Sequence, residues 1–229
     1  MDMKIAGSGN IPSGEYESVR TAGSARLYGL VRCKDFSSAG SVHGEAIESE
    51  NEFKTAGSGH FEGAISAGSV STAGSLRCDG DIIADGTLKT AGSARCGGSL
   101  KGADISLSGA VTVANDVEAE KIKVKGIINC EGLINAEEVV IYYSDSMDIG
   151  SIGGSKILIV SERERNKKRH SVNVKSSIEG DEIEIEGVNA PRVSGKSVII
   201  GDYCEIDLVQ YSDKFEASSK AKIGTVEKI

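Results

Sequence analysis

Apolar and polar positions along this chain repeat with a period of 17 residues, far from the 2 of a lone strand or the 3.6 of a helix. A tag, usually Ala-Gly-Ser, begins at Ala22, Ala39, Ala56, Ala73 and Ala91, then fades into Ser108-Gly109-Ala110 and Lys125-Gly126-Ile127. Aligned on the tag, the copies bring apolar residues into columns. The fourth column reads Ala25, Val42, Gly59, Leu76, Ala94, Val111, Ile128, and the sixth Leu27, Gly44, Phe61, Cys78, Cys96, Val113, Cys130. Near the tenth position stand Val31, Ile47, Ile65, Ile82, Leu100, Val117 and Ile134, with a one-residue slip at Ile47. A further column holds Phe36, Phe53, Val70, Leu88, Ile105, Ile122 and Val139. Paired columns two residues apart describe strands with one buried face. A fixed repeat too short for a helical pair predicts an all-β solenoid, one coil of three short strands per repeat.

The remaining columns refine this picture. Gly occupies the second column throughout and the eighth at Gly29, Gly63, Gly80, Gly98 and Gly132, which predicts corners with positive φ. The position before each tag runs Thr21, Ser38, Thr55, Thr72, Thr90, Leu107, Val124, Ile141; a switch from hydroxyl to aliphatic places it inward near a corner. An inward Thr column cannot form the flat exposed array that ice binding needs. Ala6-Gly7-Ser8 heads an incomplete first coil with Ile11 and Val19 inward. No coil is stable alone, because its inward aliphatics supply roughly 1.5–3 kcal/mol each while ordering its backbone costs about 1–2 kcal/mol per residue. Stacking closes that gap and predicts a rod, on the order of 60 Å long at about 4.8 Å per coil.

Coils extend over residues 1–160, where Met147, Ile152, Ile157 and Ile159 keep the spacing after the tag is lost. Residues 161–171 read as a basic excursion, in which Arg163, Arg165, Lys167, Lys168 and Arg169 are candidate contacts for an acidic partner. Residues 172–229 resume the coils with Ile183, Ile185, Val193, Val198, Ile200 and Val209. The segment Ile178 to Glu186 forms an acidic outer face that the basic excursion can meet, within one chain or between neighbours.

Composition narrows the function classes. The net charge of −8 argues against nucleic-acid partners, which demand a basic excess. With 4% aromatics and no Trp an ordinary sandwich core is excluded, whereas a narrow solenoid core needs only Val, Ile, Ala and Cys. Neither an 18-residue apolar run nor a secretory leader is read, so no integral membrane span is expected. Five cysteines without motif spacing suit reduced core thiols in a cytoplasmic protein. The outward fifth column, Arg26, His43, His60, Arg77, Arg95, stands beside Glu45, Glu62 and Asp79, and the two stripes are expected to neutralise each other across stacked coils. A metal held by His43, His60, Glu45 and Glu62 is the competing reading. No catalytic triad, P-loop or zinc motif is present, and no catalytic residue, cofactor or resident metal is assigned.

The coils tagged by Thr55-Ala56-Gly57-Ser58, followed by Ile178-Glu179-Gly180-Asp181-Glu182-Ile183 and by Gly195-Lys196-Ser197-Val198-Ile199-Ile200-Gly201 leading to Cys204-Glu205-Ile206, resemble the bactofilins. The likeness is strongest to the longer polymer-forming type of Gram-positive bacteria. That resemblance implies a single-stranded right-handed β-helix and a bacterial cytoskeletal scaffold assembling end to end without nucleotide. It also implies partners among its own copies, similar proteins or cell-envelope proteins, and a cytoplasmic location that can lie against the membrane. Met1-Asp2-Met3-Lys4-Ile5 makes a poor membrane anchor. Terminal coils that keep apolar residues without a polar cap point to Ile5 and Ile11 at one end and Phe215, Ile223, Val226 and Ile229 at the other as the polymer interface. The alternatives are a non-polymerising binding rod, or a β-helical carbohydrate-active enzyme or acyltransferase.

Overall fold

The computed structural model describes residues 1–162 and 171–229. These form seventeen strands and no helix, and the strands stack as a parallel β-solenoid with a spacing close to 17 residues. The chain divides into two compact units, Met1–Asn115 and Asp116–Ile229.

The first unit holds β1 (Asp2–Ile11), β2 (Gly14–Leu27), β3 (Leu30–Gly44), β4 (Ala46–Phe61), β5 (Ile65–Cys78), β6 (Ile82–Ala84), β7 (Thr87–Cys96), β8 (Leu100–Lys101) and β9 (Asp104–Val113). Successive coils pair tag on tag: Ala6 on Ala22, Ala22 on Ala39, Ala39 on Ala56, Ala56 on Ala73, Ala73 on Ala91 and Ala91 on Ser108. The ladder passes through the tag corner without a break, so the strands bend there and continue. Ala22, Gly23 and Ser24 all face solvent, which carries the chain from buried Thr21 to buried Ala25 around an outer corner. Gly makes this possible twice over. In the tag Gly of every coil φ lies between +101° and +137°, a region L side chains rarely enter. A Cβ on Gly23, Gly40, Gly57, Gly74, Gly92 or Gly109 would also fall inside the van der Waals shell of the preceding tag Gly carbonyl oxygen.

The eighth-column glycines differ from expectation. Only Gly29 has positive φ there, at +66°. Gly63 and Gly80 have ordinary backbone angles and are required for space, since a Cβ would come within 2.8 Å of the Glu45 carbonyl oxygen and 2.9 Å of Gly63 backbone carbon, respectively. The slip at Ile47 is resolved by two bulges. One between Cys33 and Asp35 ends the short Val31–Ile47 offset and restores the register by Phe36–Phe53, and a second between Ser49 and Glu52 ends the long Ile47–Ile65 offset and restores it by Phe53–Val70. The Ser49 hydroxyl is shared between the carbonyls of Glu52, 2.7 Å away, and Lys34, 3.0 Å away, so the bulged backbone keeps donors.

Burial follows the columns. Val19, Val31, Phe53, Phe61, Ile65 and Cys78 have no exposure, and Phe36 stacks on Phe53 with centroids 5.1 Å apart while Phe61 meets Phe53 edge-on at 5.4 Å. A column not read from the sequence, Cys33, Ser49, Ala67 and Ala84, is equally buried; its small residues carry no apolar signal. The pre-tag column points inward as expected, and Thr21 Oγ1 donates to Ser38 Oγ at 2.9 Å. Thr90 ends that ladder: it stacks beneath Leu107 in the register, and its buried hydroxyl makes no hydrogen bond.

The second unit holds β10 (Val117–Glu118), β11 (Lys121–Tyr143), β12 (Met147–Ser161), β13 (Val172–Val174), β14 (Ser177–Ile185), β15 (Val188–Ile200), β16 (Glu205–Ala217) and β17 (Lys222–Lys228). Ile157, Ile183 and Val198 stack in one buried column, and Ile152, Ile178, Val193 and Val209 in another. Ile152 pairs with Ile178, 26 residues on, where the tagged coils step by about 17. A third column carries Ala136, Gly154, Gly180 and Gly195 and then Tyr211, whose ring stacks on Phe215 at 5.4 Å.

Two substitutions test this account. Gly57→Ala combines a forbidden φ with a backbone clash and should destabilise the chain by at least about 1–3 kcal/mol in a denaturant titration. Thr90→Val removes a buried hydroxyl with no partner at constant shape and should raise stability by about 1 kcal/mol in the same titration.

Candidate functional site

Chemistry on this fold is carried by outward columns, because parallel in-register stacking places the same column of successive coils side by side about 4.8 Å apart. The two charged stripes beside the tag do pair across coils. His43 Nε2 lies 3.0 Å from Glu62 Oε1, and His60 Nε2 lies 3.1 Å from Asp79 Oδ2, each histidine reaching a carboxylate of the following coil. Arg77 Nε donates to Asp79 Oδ1 at 2.8 Å. The hydrogen bond from His60, reinforced by Arg77, holds the Asp79 carboxyl below the usual carboxylate range. The His43 and His60 rings meet edge to face at 4.9 Å, and the Arg26 guanidinium lies 5.7 Å from the Tyr28 ring centroid. Glu45 stands apart from this arrangement. Among the described residues no group of three or more His, Cys, Asp or Glu side chains is placed to hold a metal ion.

Between the tag serines and the fifth column runs a shallow longitudinal groove. Ser8, Ser24, Ser41 and Ser58 form one wall, and Asn10, Arg26, His43 and His60 form the other. Its floor is the small fourth column, Gly9, Ala25, Val42 and Gly59. The register carries both walls onward to Ser75 with Arg77 and Ser93 with Arg95. From two residues ahead of each tag to the fifth column, spanning 4–10, 20–26, 37–43, 54–60, 71–77 and 89–95, the sequence contains no Asp or Glu. The sequence showed the columns but not that the two walls enclose a groove, which depends on how far the tag corner turns.

Three acids of β14 pair with neighbouring coils: Glu179 with Arg192, Asp181 with Lys196 at 3.0 Å, and Glu182 with Lys156 at 3.3 Å. The proposed partner-binding residues Arg163, Arg165, Lys167, Lys168 and Arg169 lie outside the described residues. Of the proposed interface positions, Val226 and Ile229 are 44% and 68% exposed, and Phe215 and Ile223 are partly exposed. Ile5 is partly exposed in β1, whereas Ile11 is fully buried in the core of its own coil. Among the described residues no helix is long and apolar enough to cross a membrane.

All five cysteines are buried free thiols. Burial pushes the Cys78 thiol up to about 12 and the Cys130 thiol up to about 11, and raises Cys33, Cys96 and Cys204 as well. Cys78 Sγ donates to the Gly63 carbonyl at 3.0 Å and Cys96 Sγ to the Gly80 carbonyl at 3.3 Å. Thiols held protonated and out of solvent are poor nucleophiles. In an Ellman titration the native chain should react slowly at neutral pH, and all five thiols should become reactive once the chain is denatured.

Two proteins of Bacillus subtilis (strain 168) resemble this chain. One, named "Uncharacterized protein YhbF", is 30% identical over 99 residues, which cover 43% of this chain and 42% of that protein. The other, named "Uncharacterized protein YhbE", is 32% identical over 103 residues, which cover 43% of this chain and 44% of that protein. The chain thus matches less than half the length of either relative. No family model and no solved structure matches it.

Proposed function

We propose that this chain is a structural scaffold of the bactofilin type, working in the cytoplasm, whose copies assemble by stacking terminal coils without nucleotide. The observation that carries the reading is the state of the two successive coils that hold β16 and β17. Their inward columns continue those of the coil beneath, Val209 on Val193 and Val226 on Val209, yet Val226 and Ile229 stand 44% and 68% exposed. The stacked Tyr211–Phe215 pair is partly exposed in β16. In β1, Ile5 aligns with the inward Thr21 column and is only partly covered. A coil from another copy that seats on such a surface gains ladder hydrogen bonds and about 1.5–3 kcal/mol for each large side chain it fully buries. The buried, protonated thiols suit a reducing compartment.

The test is negative-stain electron microscopy beside light scattering, for the native chain and for Phe215→Asp, Val226→Asp and Ile229→Asp. Filaments that disappear in these variants, with circular dichroism unchanged, are the expected result. A monodisperse 23.8 kDa species that the substitutions leave unaltered would overturn the assembly reading and favour a binding solenoid instead.

A further inference from the structure

We propose that the groove beside the tag binds a linear acidic polysaccharide, laid along the coil axis with its carboxylates on the Arg26–Arg95 column and its hydroxyls on the tag serines. Four observations converge on that ligand class. The groove is longitudinal and its walls repeat over four successive coils, so a periodic chain can repeat one set of contacts about every 4.8 Å. One wall carries the exposed cations Arg26, Arg77 and Arg95, and between them His43 and His60 are half-buried with Nε2 anchored on carboxylates of the next coil, which fixes the rings as part of the wall. The other wall, Ser24, Ser41 and Ser58, offers exposed hydroxyls that donate or accept, as recognition of sugar hydroxyls requires. The floor of Ala25, Val42 and Gly59 lets the C–H face of a sugar ring approach closely.

Charge is segregated to suit this occupant. In a chain of net charge −8, the strip from the residue two ahead of each tag to the fifth column carries Lys4, Arg20, Lys54 and Lys89 as well, and no carboxylate. The acids that balance the wall, Glu62 and Asp79, lie beyond it on the side away from the serines. A nucleic acid fits less well, because no Phe, Tyr or Trp lines the groove to stack bases, and the His43 and His60 rings pack edge to face on each other. A bilayer fits less well too, since Leu76 is buried and, Ile5 apart, the strip exposes no large apolar side chain to insert at an interface.

The experiment is fluorescence anisotropy of a fluorescein-labelled oligogalacturonate titrated with the full chain. Saturable binding is expected, weakened about tenfold or more by Arg26→Gln with Arg95→Gln, as loss of charged hydrogen bonds dictates. Ser41→Phe, at an exposed position, fills the groove without altering charge and should weaken binding to a similar degree; Ser58→Tyr serves the same purpose should the first variant lose its circular dichroism. Phe215→Asp should bind as the native chain does, which separates this site from assembly. The proposal is overturned if the probe shows no saturable binding, if Ser41→Phe and Ser58→Tyr both fold and bind unchanged, or if single-stranded DNA or phosphatidylglycerol vesicles bind at least as tightly as the oligogalacturonate.

Discussion

The contact on which this structure depends is that of one tag glycine on the next. At each tag corner the backbone turns outward with φ above +100°, and the carbonyl of the preceding tag glycine approaches where a Cβ would stand. Both conditions exclude every L side chain. Because the corner is made by a residue with no side chain, the hydrogen-bonded ladder continues through it, and coils rest at strand spacing along the whole turn. The rest follows from that spacing: columns stay in register, inward residues meet their own kind, and outward residues form stripes.

Within the coils, burial is spread thinly and evenly. Small and medium side chains fill most of the core, and the three phenylalanines in the first unit form a local cluster that fills the space left by Gly44 and Gly59 in neighbouring columns. Buried polar residues are satisfied by repetition, as with Thr21 and Ser38, at a bulge, as with Ser49, or by a neighbouring coil's side chain, as Ser18 by Asp2. Where the repetition stops, at Thr90 against Leu107, a hydroxyl is left without a partner. Long-range order here is therefore a property of identical neighbours rather than of one central core.

The same repetition shapes what the surface can do. A solenoid multiplies a single outward residue into a row, so recognition favours partners that are themselves periodic. The hydrogen bonds of the outer stripes join coil to coil, His43 with Glu62 and His60 with Asp79, and being exposed they add little to stability individually. Their greater effect is to hold the side chains of the groove wall in fixed positions. The two proposals, stacking of further coils and binding along the groove, call on separate parts of one geometry, the first on the coil face and the second on its edge.

Much of this was legible from the residues. The strict tag period announced the solenoid, and the alternation around Leu27, Ile65 or Phe53 announced the inward columns, because apolar side chains two apart in a strand share a face. The slip at Ile47 was visible as a missing residue, and the charge stripes as alternating signs in neighbouring columns. The inward column of Cys33, Ser49, Ala67 and Ala84 was not legible, since small residues occur equally on either face. Nor was the reason for Gly63 and Gly80, where ordinary φ hides a requirement for space that only the stacked neighbour imposes. What the sequence alone determined was the period, the identity of each column and the residues at its corners, because these are local and repeat. Tertiary structure alone decided the bulges that restore register, the pairing of each histidine with the next coil, and the closure of two walls into a groove. Those features depend on distances between residues about 17 apart in the chain, which stacking sets and no single coil contains.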